Sequence, residues 1–112
     1  MSMISIDDFV KIDVRVGTIT DVQPFPEARK PAWKLTINLG PQIGLKRSSA
    51  QITDLYTAED LIGRKVACVV NLPPRQIGPF ISEVLTLGFP DEHKQVVLAV
   101  PERTVPDGSR LF

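Results

Sequence analysis

Cysteine and histidine are nearly absent from this 112-residue sequence, which contains only Cys68 and His93. A single cysteine excludes an internal disulfide framework and a cysteine-clustered zinc site. A single histidine excludes a His-rich metal site, and the sequence has no phosphate-binding glycine loop, HExxH pair or nucleophile elbow. We interpret Cys68 as an inert core thiol and His93 as a solvated turn residue. We therefore expect no catalytic residues, no metal and no cofactor.

Long apolar runs are also absent, because no stretch approaches the roughly 18 residues of a membrane span. The first residues, MSMISIDDF, have no basic segment before an apolar one, so no secretory signal is visible. These features predict a cytoplasmic protein without membrane insertion. The length corresponds to a single domain over residues 1–112.

The sequence has no net charge, because 13 basic side chains balance 13 acidic ones. A neutral chain is not an obvious nucleic-acid binder, so such an activity would depend on local charge. Residues 22–51 form either a basic binding face or a solvated strand face with no partner. They contain one acid, Glu27, and five bases: Arg29, Lys30, Lys34, Lys46 and Arg47.

Short apolar runs, punctuated by ten prolines, dominate the rest of the pattern. Residues 33–39 alternate between apolar and polar, which predicts a strand with one buried face. Residues 66–72 are nearly all apolar, which predicts a strand buried on both faces. Gly17 interrupts the alternation of the first strand, and a glycine at such a break predicts a bulge or sharp bend.

Helical patterns are short. Ser5 and Asp8 have the capping-box spacing of one helical turn, and residues 57–63 predict a helix of one or two turns. With about six strands, this order predicts an all-β, five-stranded Greek-key barrel of the OB type, with the short helix between strands 3 and 4. We assign residues 1–11 to an N-terminal helical turn, 12–88 to the barrel and 89–112 to a C-terminal extension.

Several stretches carry a family resemblance: 13–17, 34–35, 61–66 with Tyr56, and 71–75 with Ser82. They resemble the tRNA-binding OB domain that is attached to some aminoacyl-tRNA synthetases and also occurs in free-standing dimeric RNA-binding proteins. Three further stretches, 25–32, 46–52 and 71–85, are similar to the CsaA family of small secretion-related chaperones. The similarity covers roughly residues 6 to 110.

The resemblance implies an OB barrel without catalytic machinery and a homodimer assembled through its N- and C-terminal elements. It also implies two candidate ligands, unfolded or pre-secretory polypeptide and tRNA, and it raises export machinery as a further partner. The sequence departs from the wider tRNA-binding pattern at Ser49-Ala50, where that pattern has Ser-Gly, and at 82–85, where it has Ser-x-Gly-Met. Glu83 in that second stretch would repel phosphate.

Three basic residues and one tryptophan are candidates for ligand binding on the central strands. Trp33 is in phase with the buried residues of its strand, so it is either a core residue or a platform that stacks a base or covers a peptide side chain. Lys34 is out of phase and should face solvent or a ligand. Lys46 and Arg47 are adjacent in a strand and point to opposite faces, so only one of them can share a face with Lys34.

The segment after the buried strand contains the second group of candidates. Two prolines hold Arg75 on a stiff loop beside Ile77 and Phe80, which suits a peptide groove, unless these apolar residues fold back on the barrel. Asn71 either bonds a ligand or ties down its own turn. Ser82 either orients Arg75 or caps the loop.

Two more surfaces have apolar residues that a ligand or a second copy of the chain could cover. Phe25 and its basic neighbours form a second patch of apolar and basic residues. Its positive charge would repel the basic stretch of a signal peptide, whereas its apolar residues would bind the apolar stretch. The chain termini predict self-association, because a twofold dimer would bury their apolar side chains; the alternative is local packing of each terminus on its own barrel. The candidate interface residues are Ile4, Ile6, Phe9, Leu111 and Phe112.

Overall fold

A computed structural model describes residues 2–112 of the chain. Within this range there are three helices of four residues each: α1 (Ile6–Phe9), α2 (Gly40–Ile43) and α3 (Ala58–Leu61). The nine strands are β1 (Val14–Pro24), β2 (Trp33–Asn38), β3 (Leu45–Ala50), β4 (Lys65–Val69), β5 (Arg75–Ile77), β6 (Phe80–Ser82), β7 (Leu85–Thr86), β8 (Gly88–Pro90) and β9 (Val96–Leu98). None of the helices in residues 2–112 is long and apolar enough to cross a membrane.

Five antiparallel strands form a nearly closed barrel in the order β3-β2-β1-β4-β7. The two outer strands approach each other, since the hydroxyls of Ser48 and Thr86 are 2.9 Å apart. The N–H of Glu83 also donates to the carbonyl of Arg47 at 2.8 Å. The helix α3 lies between β3 and β4 in the chain. The predicted five-stranded OB-type barrel is therefore confirmed.

Strand β1 serves both halves of the barrel, because it changes partner along its length. Residues 14–18 pair with β4, and residues 18–24 pair with β2. The predicted irregularity is present, but the register shifts between Ile19 and Asp21 rather than at Gly17. Gly17 has a different role: a Cβ there would lie 2.5 Å from Cγ2 of Ile37 and 2.8 Å from the carbonyl oxygen of Asn38. Glycine is required because β1 and β2 pack too closely for a side chain.

The barrel interior is filled by aliphatic side chains from β1, β2, β4 and α3. Ile19, Leu35, Ile37, Leu61 and Val66 are fully buried. Each large side chain of this kind stabilises the fold by about 1.5–3 kcal/mol relative to an exposed position. Cys68 is buried among them, and burial raises the pKa of its thiol to about 12. It is the inert core thiol that the sequence predicts.

Capping boxes begin two of the short helices, as the sequence predicts for Ser5. The Ser5 hydroxyl accepts from the N–H of Asp8, whose carboxylate accepts from the N–H of Ser5. Thr57 and Asp60 make the same reciprocal pair at α3. These hydrogen bonds lower the pKa of both aspartates, because they favour the ionised carboxylate.

Two hairpins lie in segments without a predicted strand pairing. The stretch expected to be a stiff loop is the hairpin β5–β6, in which Arg75 pairs with Ser82 and Ile77 pairs with Phe80. The second hairpin, β8–β9, spans the expected boundary between barrel and extension. Strands of two or three residues are too short for an alternating pattern to show. The turn of the second hairpin contains His93, which is exposed as expected.

Candidate ligand-binding groove

The hairpin β5–β6 packs beside the barrel and creates a groove of about 260 Å³. Its position is fixed by a hydrogen bond of 3.0 Å from the N–H of Ser49 in β3 to the hydroxyl of Ser82 in β6. Since directly paired residues share a face of a hairpin, Arg75 and Ser82 lie on the same side. The groove is lined by Ser49, Leu72, Pro73, Arg75, Ile77, Ser82, Glu83, Val84 and Leu85.

The groove walls are largely apolar and accessible. Leu72 and Leu85 are each about half exposed, at 47% and 48%. Ile77 is partly buried, and Val84 is buried beneath the groove. Arg75 is exposed at its edge and makes no salt bridge with residues 2–112. The arrangement can accept an apolar side chain and offers a free guanidinium beside it.

An aromatic pair supports the hairpin from below. The rings of Phe25 and Phe80 have centroids 5.4 Å apart and are tilted by 58°. Both residues are buried, at 4% and 3% exposure, and pack with Ala32 and Ile77. Of the two alternatives for the apolar residues of this segment, Phe80 therefore follows the second and folds back on the barrel. The two mixed apolar-basic patches of the sequence are joined into one cluster.

Two cations lie over these rings. The Lys34 Nζ is 5.5 Å from the ring centroid of Phe25, and the Arg47 Cζ is 4.4 Å from that of Phe80. Arg47 is paired with Thr36 and Lys46 with the buried Ile37, so Arg47 is the residue that shares a face with Lys34. Each exposed cation–π contact contributes about 0.5–1 kcal/mol.

Glu83 is held by the barrel end. Its Oε1 accepts from the N–H of Arg47 at 3.0 Å, and its Oε2 lies 3.8 Å from the Lys46 Nζ. Both oxygens therefore have a cationic or N–H partner. This pairing reduces the repulsion of phosphate that we expected from a glutamate at this position.

Trp33 and Asn71 do not line the groove. The Trp33 indole N–H donates to the carbonyl of Tyr56 at 3.0 Å, and its ring packs against the barrel core. The Asn71 side chain accepts from the N–H of Asp13 at 2.9 Å and donates to the carbonyl of Lys11 at 2.7 Å. Asn71 thus ties down the segment before β1 rather than its own turn.

The sequence reasoning did not select Leu72, Pro73, Val84 and Leu85 as site residues. They flank the residues that it did select, Arg75 and Ser82, on both sides. Three of them, Leu72, Pro73 and Val84, lie outside the strands, so no alternating pattern marks them. The useful signal was their position at the ends of the 71–85 motif.

A second apolar surface, the terminal face, lies near both chain ends. Two adjoining cavities of about 590 Å³ and 480 Å³ have Arg110, Leu111 and Phe112 in common. Ile6 and Phe9 line the smaller one, so four of the five predicted interface residues meet here. Ile4, the fifth, is 70% exposed but lines neither cavity. The sequence reasoning missed Phe89 and Val100, which line the larger cavity.

No group of three or more potential metal ligands occurs in the part of the chain that the structure describes. Titratable groups in the groove are limited to Arg75 and Glu83. The groove therefore offers a ligand apolar walls, one cation and one carboxylate.

Known proteins with similar sequences include the methionine–tRNA ligases of Methanococcus aeolicus (35% identity over 99% of this chain) and Leptospira biflexa (38% over 96%). The chain spans only 15–16% of the length of these ligases. The match is thus to one domain of each enzyme.

Two solved structures match along their whole length. Chaperone CsaA from Bacillus anthracis is 45% identical, with a TM-score of 0.92 over 99% of this chain and 100% of that one. CsaA chaperone protein from Picrophilus torridus is 49% identical, with a TM-score of 0.93 over 98% and 100%. A family model described as "Putative tRNA binding domain" matches residues 14–110. The chain therefore belongs to the tRNA-binding domain family and, within it, to the CsaA proteins.

Proposed function

We propose that this chain is a non-catalytic, CsaA-like chaperone that binds unfolded or export-bound polypeptides as a homodimer. The observation that carries the proposal is the groove beside β5–β6, where half-exposed leucines lie next to an unpaired arginine. Apolar walls with a few fixed polar groups suit the side chains of an extended polypeptide. The cytoplasm is the compartment we propose, since export-bound chains are still unfolded there.

The burial of the aromatic pair favours a polypeptide over a single-stranded nucleic acid. Proteins that bind single strands stack bases on accessible rings. Phe25 and Phe80 are covered, and the Trp33 ring packs on the core. None of the residues described as lining the groove is aromatic.

The homodimer is proposed from the terminal face. Ile6, Leu111 and Phe112 are at least half exposed, and each lines one or both of the adjoining cavities of this face. A twofold partner would cover this face and leave two ligand grooves free, which increases the avidity for a long unfolded chain. Export machinery would be a further partner that receives the client. Leu111→Glu should convert the dimer to a monomer in analytical ultracentrifugation, whereas Leu55→Glu, an exposed leucine elsewhere, should not.

Binding of tRNA is the second candidate function, and a specific charge pattern favours it. Five cations around the aromatic pair and the hairpin make no salt bridge within residues 2–112: Arg29, Lys30, Lys34, Arg47 and Arg75. Such a surface suits a phosphate backbone. Because binding releases counterions from the nucleic acid, it should weaken steeply as the salt concentration rises. The family match and the ligase relatives support the same candidate.

Fluorescence anisotropy separates the two functions. A labelled unfolded preprotein segment and labelled tRNA are each titrated with the protein near 0.15 M salt, where the Debye length is about 8 Å, and again at higher salt. The chaperone proposal predicts peptide binding that survives the added salt and weakens in Arg75→Ala. Binding of tRNA alone, lost as salt rises, would replace the chaperone proposal with the second function.

A further inference from the structure

We infer that the groove selects apolar segments flanked by acidic residues, and that Arg75 is the residue that recognises the acidic flank. The inference rests on the proposed polypeptide binding and adds the chemical class of the client. It also implies that the basic stretch of a signal peptide is not what this groove binds.

The backbone of Arg75 is fixed by the hairpin, and its guanidinium has no partner among the described residues. Its backbone is paired with Ser82 in the hairpin, and its side chain lines the groove. Its guanidinium has neither a carboxylate within 4.0 Å nor a side-chain hydrogen bond to any described residue. A guanidinium presents a planar fork of donors that matches a carboxylate, so an unpaired arginine at the edge of the groove favours an acidic ligand group.

The other charged residues around the groove also favour an acidic ligand. Among residues 2–112, Glu83 is the only carboxylate that lines the groove, and its oxygens are engaged by Lys46 and the N–H of Arg47. Arg47 and Lys34 lie over the adjoining aromatic rings. Glu27 lies beside Gly78 at the tip of the hairpin and does not line the groove. A lysine or arginine next to the bound apolar residue would therefore meet these cations, and the one described carboxylate of the groove lining, Glu83, is already engaged.

The apolar walls define which part of the client enters. Leu72 and Leu85 line the groove and are about half exposed, so a partner side chain would cover part of this apolar surface. In an extended chain, side chains two positions apart point the same way and are separated by about 7 Å. A carboxylate two residues from the buried apolar group can therefore reach the edge of the groove that Arg75 occupies.

Three labelled peptides of equal length test the inference. They share one apolar core of leucine and valine, and their flanking residues are all Glu, all Gln or all Lys. A fourth peptide keeps the Glu flanks but has a serine core. Anisotropy titrations at low salt compare the wild type with Arg75→Gln, Arg75→Glu and the control Arg103→Glu, a charge reversal at an arginine whose side chain is 86% exposed and does not line the groove. Circular dichroism shows that each variant is folded.

The expected order of affinity for the wild type is Glu, then Gln, then Lys, with steps of about fivefold. Arg75→Gln should remove most of the difference, Arg75→Glu should reverse the order, and Arg103→Glu should preserve it. The serine-core peptide should bind at least tenfold more weakly than its apolar counterpart.

Two failures can be told apart. If no apolar-core peptide binds, including the Gln-flanked one, the proposed function itself is wrong. If the Gln-flanked peptide binds but flank charge has no effect, or Lys flanks bind best, the inference is overturned while the chaperone proposal stands. An order that persists in Arg75→Glu, or equal binding of the serine core, would also overturn it.

Discussion

Asn71 accepts a 2.9 Å hydrogen bond from the backbone N–H of Asp13, a residue 58 positions earlier in the chain. The same side chain donates to the carbonyl of Lys11. The carboxamide therefore joins two parts of the chain. One is the segment between α1 and β1, which leads to the terminal face, and the other is the start of the segment that lines the groove. The Asp13 carboxylate extends this link, because it contacts both Arg15 and Arg110.

Asn71→Ala should destabilise the fold by about 1–2 kcal/mol, because two backbone groups lose their partner. Urea denaturation at one fixed protein concentration measures the change, and hydrogen exchange should show faster exchange of the Asp13 amide. Gln42→Ala is a matched control, since Gln42 is an exposed amide without a side-chain hydrogen bond among the described residues. Equal stability of the two variants would contradict the anchoring role.

Phe80→Ala should cost about 3 kcal/mol, because a nearly buried ring that packs on Phe25 is replaced by a cavity. Phe80→Leu keeps most of the volume and should cost less than about 1.5 kcal/mol. Thermal or urea unfolding measures both variants. If Phe80→Leu loses peptide binding as completely as Phe80→Ala while remaining stable, Phe80 contacts the ligand and its supporting role is refuted.

Gly17→Ala should destabilise the protein by about 1–3 kcal/mol, since the new Cβ would meet Ile37 and the backbone of Asn38 at less than 3 Å. The new methyl group would lie where β1 changes its partner from β4 to β2, so these two strands should move slightly apart from each other. Unfolding measurements give the free energy, and amide exchange of Ile37 and Asn38 reports the location. A neutral effect would mean that β2 moves away freely.

Asp107 makes stability depend on pH. Partial burial on its own would raise the pKa of its carboxyl, but the hydrogen bonds from Lys65 and Thr18, both at 2.7 Å, outweigh it and lower the pKa below the ordinary value of 3.8. Because the folded-state pKa is lowered, this stabilisation is full above about pH 4 and is lost as the pH falls through the folded-state pKa.

Asp107→Asn should therefore be less stable than the wild type at neutral pH by about 2 kcal/mol. The difference should shrink as the pH falls below 4. Urea unfolding of both proteins at a series of pH values measures it. A difference that stays constant down to pH 2 would show that the carboxylate charge is not the cause.

The sequence pattern predicted the barrel where strands are long enough to alternate. Residues 33–39 and 66–72 showed which faces are buried, and Ser5 and Thr57 marked the helix starts. The hairpin β5–β6 was missed because each of its strands has three residues. Local pattern cannot reveal such short pairings.

Contacts between side chains that are distant in the sequence also could not be predicted. The burial of Phe80 depends on Phe25, and the role of Asn71 depends on Asp13. No spacing in the sequence connects these pairs. The groove was located through Arg75 and Ser82, whereas its apolar walls became visible only once the hairpin was placed beside β3.

The most direct test of the account maps where a polypeptide binds. Two-dimensional NMR of the labelled protein, titrated with an unfolded preprotein segment, follows each backbone amide. We predict the largest shifts at Leu72, Arg75 and Leu85, with little change at Ile6 and Leu111 on the terminal face. Shifts concentrated on the terminal face, or no shifts at saturating peptide, would contradict the assignment of the groove as the binding site.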